Sequence, residues 1–273
     1  MTARLLSTLL ALVLLLSARL AGAATVSTEI SGVAGELLAN VRASISLVQA
    51  EKLDELSLWR LRQMSEDARS EIEQALRPFG FYRPDIRVRL IEPEDDSQHW
   101  QARLDIKPGP PVQIDRVMIE LLGDGRDDPA LKEWREEWPL KTGDRLHHPA
   151  WEKAWRRLAQ IAEERGYFQA RFDEREVTVG AEREKADIRI VFDTGPRYRF
   201  GRYRAPDQPF SESLMNRLHI LEPDEAYSVE RLDRQREVLV RSGLFDRVVV
   251  DTERDDERQR VDLDYRLETR PPN

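Results

Sequence analysis

The sequence predicts an α+β protein of three tandem β-α-α-β-β domains, each a three-stranded sheet with two helices on one face. Three observations carry that expectation. First, a helical run stops at a glycine and hands over to a strand in RPFGFYRPDIRVRL (Arg77–Leu90), EERGYFQARF (Glu163–Phe172) and VRSGLFDRVVVD (Val240–Asp251). Second, the markers Gly80, Gly166 and Gly243 stand 86 and 77 positions apart, which is close to a regular period. Third, the flanks match, with a one-sided apolar helix before each glycine and two alternating strands after it.

Each repeat opens with a strand, read at Val26–Ile30, Ile114–Leu121 and Tyr198–Tyr203. A polar segment with room for a first helix follows, at Ala130–Trp138 in the second repeat and Glu212–Leu218 in the third. The second helix carries the stripe: Ala68, Ile72, Ala75, Leu76 and Phe79; then Trp151, Ala154, Trp155, Leu158, Ile161 and Ala162; then Val229, Leu232, Val238 and Leu239. Pro149 suits the first turn of the middle one. Gly80, Gly166 and Gly243 fit left-handed C-caps, where a residue without Cβ sits cheaply.

After each glycine an aromatic or leucine pair leads into a strand of period two, marked by Ile86, Val88 and Leu90, by Ala170 and Phe172, and by Val248 and Val250. Polar turns (EPEDDSQ, GAEREK, ERDDERQ) then return the chain through Trp100–Ile106, Ile188–Phe192 and Val261–Leu267. Such a pair is a hairpin with one wet face. Gly109-Pro110-Pro111 and Gly195-Pro196-Arg197 read as short, stiff joints. The resulting domains are 24–108, 112–195 and 197–270.

The first 23 residues stand apart. Arg4, the apolar run Leu5–Leu16 and the small residues Ala21-Gly22-Ala23 have the form of a secretory signal peptide over 1–23. The run is shorter than the roughly 20 residues a membrane-spanning helix needs. The chain has no cysteine, which excludes thiol catalysis, disulfides and cysteine-ligated metals.

A net charge of −8 argues against a nucleic-acid binder, and none is expected as a partner. No catalytic constellation emerges either. His147 and His148 are adjacent rather than four apart, so they do not share a helix face as metal ligands do. LLGDGRDDP (Leu121–Pro129) lacks the closing glutamate of a calcium loop and reads as a strand-to-helix turn. Trp134, Trp138, Trp151 and Trp155 could stack on sugars, but helical spacing favours core packing. No enzyme, metal or cofactor is therefore expected.

The β-α-α-β-β order with an aromatic pair after the corner glycine is similar to the POTRA (polypeptide-transport-associated) domain. The strings ALRPFGFYRPDI, GPPVQIDRV, RGYFQARF, GPRYRFG and SGLFDRVVV resemble, in order and spacing, the amino-terminal part of the outer-membrane subunit of the translocation and assembly module, the TamA family. LLANVRASISL (Leu37–Leu47) fits the first POTRA domain of that family. The resemblance covers roughly residues 26–270. It departs in one respect: members continue into a transmembrane β-barrel, and no run of lipid-facing strands follows the third hairpin here. The chain is thus expected to be a free array or a fragment whose barrel lies elsewhere.

The resemblance implies a periplasmic scaffold for assembly or insertion of outer-membrane or secreted proteins, outer-membrane-associated where it docks on a barrel. The implied partners are that barrel, an inner-membrane-anchored subunit of the module and unfolded clients. Sheet edges can accept a guest strand through main-chain hydrogen bonds. The family's exposed edge maps onto Ile86, Arg87, Val88, Arg89 and Leu90; onto Arg171, Phe172, Val177 and Val179; and onto Val248, Val249 and Val250. A passive connector is the competing expectation, and a periplasmic enzyme a more distant one. Charges such as Arg87, Arg89, Asp251 and Arg254 can equally guard an edge against pairing.

Overall fold

The computed structural model describes residues 24–53, 55–94, 97–205 and 210–269, so the expected signal peptide lies outside the described residues. The first repeat runs β1 (Thr25–Ser31), α1 (Gly35–Ser44), α2 (Ser46–Ala50), α3 (Leu58–Leu76), β2 (Asp85–Ile91) and β3 (His99–Lys107). The second runs β4 (Gln113–Leu122), α4 (Pro129–Glu136), α5 (His148–Glu164), β5 (Arg171–Val179) and β6 (Lys185–Asp193). The third runs β7 (Arg199–Arg204), α6 (Glu212–Leu218), α7 (Val229–Arg241), β8 (Phe245–Asp255) and β9 (Arg260–Thr269).

Three three-stranded sheets result, ordered β1-β3-β2, β4-β6-β5 and β7-β9-β8. In the first and third, the opening strand lies parallel to the central strand and the hairpin partner antiparallel to it. The central strands alternate most sharply: Trp100, Ala102, Leu104 and Ile106 of β3 are all buried. They meet Val41, Leu61, Ile72 and Leu76 of α1 and α3. In the third repeat Tyr198, Phe200, Met215, Leu239 and Tyr265 form the corresponding core. Each such side chain contributes roughly 1.5–3 kcal/mol when fully buried.

By its contacts the chain divides into two compact parts, and the division falls inside the second repeat. One part holds the first repeat together with Val112–Asp115, Thr142–Pro149 and Val179–Ala186; the other holds the remainder.

All three corner glycines are left-handed, with φ of +83° at Gly80, +86° at Gly166 and +71° at Gly243. Within the first part, the Gly80 carbonyl accepts from the Val112 N–H (2.8 Å) and the Val112 carbonyl accepts from Leu146 (2.8 Å). Within the second part the pattern recurs: Gly166 accepts from Tyr198 (2.9 Å), and Tyr198 accepts from Tyr227 (2.9 Å). The residue before an opening strand therefore pins the preceding corner to the segment leading into the next long helix.

One expectation needs correction, the place of Val229 on its helix, and two others gain detail. The segment Leu37–Leu47 spans α1 and α2, which part where Ile45 takes extended dihedrals and the Glu71 carboxylate accepts from the Ser46 N–H at 2.8 Å. Val229 belongs to the expected core stripe, but it is 36% exposed at the first turn of α7, while Leu232 and Leu239 are buried. Trp134, Trp138 and Trp151 are buried edge to face, with indole N–H groups donating to the Ala154 and Leu140 carbonyls. Trp155 differs, lying half-buried between Phe172 (5.8 Å) and the Arg175 guanidinium (3.9 Å).

Candidate functional site: the strand edges

Each sheet has two edges, and the chain treats them differently. The opening strands are bridged on their outer side near their start, by Ala24↔Leu56, Gln113↔Arg145 and Arg199↔Ala226. On β1 the Glu51 carboxylate also accepts from the Thr28 N–H at 2.7 Å. Opening edges are therefore partly occupied by the chain itself.

The first hairpin strands β2, β5 and β8 form the other edges. On β2 the Arg69 guanidinium donates to the Ile86 carbonyl at 2.5 Å. The Ile106 carbonyl opposite is turned toward Gly32 at the end of β1, so Ile86 and Ile106 do not bond each other. Ile86, Val88 and Leu90 consequently turn their backbone groups outward, while Arg87 and Arg89 bond to β3. Arg89 pairs across the open face with Asp105 at 2.7 Å. Hydrogen bonds from Ser31 and Arg89 hold that carboxyl below its usual range.

No hydrogen bond from outside the sheet reaches the backbone of β5, nor of Arg247–Asp255 in β8, among the described residues. Their flanks are guarded instead by surface charge. Arg171 reaches Asp173 (3.0 Å) and Asp193 (2.5 Å), Arg189 pairs with Glu174, and Glu253 pairs with Arg204 (3.1 Å). Phe172, Val177 and Val179 are half-buried, as are Val248 and Val249, whereas Val250 is buried. Twelve candidate edge positions thus lie in three separate sheets and form no single site.

Sequence reasoning missed a buried cluster in the second repeat. Asp128, the N-cap of α4, accepts from the Ala130 N–H (3.0 Å), the Tyr167 hydroxyl (3.0 Å) and Arg165 Nε (2.7 Å), with Arg197 at 3.5 Å. Burial pushes the Asp128 pKa up, but the Arg165 and Tyr167 hydrogen bonds outweigh it and leave the pKa lowered. Burial, with the Asp128 charge, pushes Tyr167 up to about 12. The local signal was Asp128 before Pro129, a cap signature; the long-range partners had none. Beside it, Thr194 accepts from the Gly125 N–H (2.9 Å) and donates to the Leu122 carbonyl (3.0 Å), so LLGDGRDDP is a structural turn.

Among the described residues no His, Cys, Asp and Glu group could hold a metal ion, and no helix is long and apolar enough to cross a membrane. What the edges can do is pair with an extended backbone.

Comparison with known proteins finds a family match in the first repeat. Residues 27–108 match the family model described as POTRA domain TamA domain 1. Among solved structures, the chain is similar to POTRA domains 3–5 of BamA from Haemophilus influenzae (15% identity, covering 90% of this chain and 96% of that one, TM-score 0.43). It is also similar to POTRA domains 1–3 of the periplasmic domain of Omp85 from Anabaena (15% identity, 91% and 95% covered, TM-score 0.34). A third similar structure is CdiB from Escherichia coli (12% identity, 78% and 35% covered, TM-score 0.33). The family match lies within the first of the three α+β units.

Proposed function

We propose that this chain is a non-catalytic periplasmic scaffold whose sheet edges take up extended segments of outer-membrane or secreted proteins during assembly. Its three domains occupy 24–108, 112–195 and 197–270. Its standing partners are an outer-membrane barrel and an inner-membrane-anchored subunit of the same module. The observation that carries this reading is the unoccupied backbone along β5 and along Arg247–Asp255 of β8, in an array whose first repeat matches a TamA POTRA model. Each added main-chain hydrogen bond is worth roughly 0.5–1.5 kcal/mol net. A handful of them gives a weak, reversible and sequence-tolerant grip, which suits handling of many clients.

The test is photocrosslinking of an unfolded outer-membrane barrel protein from probes placed at Arg89, Glu176 and Glu253. Crosslinks are expected from β5 and β8 above β2, where Arg69 already occupies the Ile86 carbonyl. Of the neighbours Val248 and Val249, one turns its N–H outward; proline there should abolish the β8 crosslinks with the fold retained. Undiminished crosslinking in both proline variants, or none in the parent chain, would leave a passive connector.

A further inference from the structure

We infer that a groove in the second part of the chain, separate from the strand edges, is a docking site for a partner segment with apolar residues flanked by lysine or arginine. The groove has a volume of about 460 Å³ and lies between α4, α5 and the first turn of α7. That is within the roughly 300–1,000 Å³ of ordinary ligand clefts. Trp134, Ile161 and Val229 give it an apolar floor, and Glu133, Glu137 and Glu230 stand on its rim. A second groove of about 500 Å³ shares Val229 and Glu164 with the first and adds Phe168 and Tyr227. Val229 thus lines both clefts, and at 36% exposed it is one of few large apolar side chains open to water among the described residues.

The charge of the first groove decides what fits it. Its cations are already engaged: Arg157 bonds Glu164 at 3.3 Å, and Arg165 bonds the buried Asp128 at 2.7 Å. Among the described residues Glu230 has one ion pair, with Arg234 at 3.6 Å, and both side chains are exposed. Glu133 and Glu137 have no ion pair among the described residues. They stand one helical turn apart beside the Trp134 ring, so a basic side chain on either side of an apolar anchor would meet a carboxylate.

Fluorescence anisotropy of the full chain with a labelled peptide of two leucines flanked by lysines tests this. The glutamate-flanked counterpart should bind at least about tenfold more weakly at low salt. Glu133→Lys with Glu137→Lys, and separately Val229→Arg, should each weaken the lysine peptide about tenfold, while Glu66→Lys with Glu94→Lys changes it less than about twofold. Urea midpoints matching the parent would show that each variant is folded. Equal loss in both double variants would reduce the effect to net charge and overturn the site, as would unchanged binding in Val229→Arg. Self-association that vanishes in Val229→Arg would assign the groove to a second copy and overturn it too.

Discussion

The Gly80 and Gly243 corners share a left-handed glycine after a long helix, but they are not equally anchored. Gly80 is buried, and a Cβ placed on it would meet the Leu146 carbonyl oxygen at 2.5 Å. Gly243 is exposed, and a Cβ there would meet nothing within 4 Å. The first glycine serves both dihedral and packing; the second serves dihedral alone. One sequence signal therefore marks two physical requirements, and only the structure separates them.

The sharpest break of that comparison is Gly80→Ala. It combines a left-handed alanine, about 1–2 kcal/mol, with a backbone clash that must open the joint to Val112 and Leu146, for a total of roughly 2–5 kcal/mol by urea unfolding. Gly243→Ala should cost only about 1 kcal/mol in the same measurement. Equal losses would show that the joint ladder contributes nothing.

Next in size is Asp128→Ala. It strands the Tyr167 hydroxyl and takes the carboxylate from the partly buried Arg165 and Arg197 guanidinium groups, costing roughly 2–4 kcal/mol. The parent's pH dependence has a definite sign here. The folded pKa of Asp128 is lowered, so its stabilisation is present above about pH 4 and is lost as pH falls through the folded value. Asp128→Ala should flatten that acid limb of the urea-midpoint profile.

The smallest effect belongs to the third repeat. His219 bonds the Tyr265 hydroxyl through Nδ1 at 2.8 Å and stacks on Tyr203 at 4.0 Å. Burial lowers its pKa below the usual imidazole value. Its neutral form is preferred in the fold, so stability is complete above about pH 6.5 and declines as pH falls from there through the folded pKa. Unfolding of His219→Gln should lack this shallow slope, worth about 1 kcal/mol or less. A profile sloping only below about pH 4 would show that His219 is not held neutral.

The repeat plan was legible because each of its signals is local. Period-two alternation in Trp100–Ile106 and the stripe Ala68–Leu76 are set by near neighbours, and both are buried as read. The turn at Gly123–Asp127 and the cap at Asp128 were legible in outline only. Asp128 gathers Arg165, Tyr167 and Arg197 from positions 37 to 69 residues away, and no periodicity encodes such a meeting. Val229 failed for a related reason: a stripe tells which helix face is apolar, not how far along that face the neighbours extend. For the edges, alternation located β2, β5 and β8, but that Arg69 would plug one of them depended on its reach from α3.

The ladder through Val112 has a practical corollary for anyone dissecting the molecule. A fragment cut at the seeming boundary after residue 108 would leave the Gly80 carbonyl without its donor and remove the strip that seals that corner. Isolated modules of this protein should be trimmed with an overhang, carrying the head of the following module along, or their measured robustness will understate what each possesses in the intact chain.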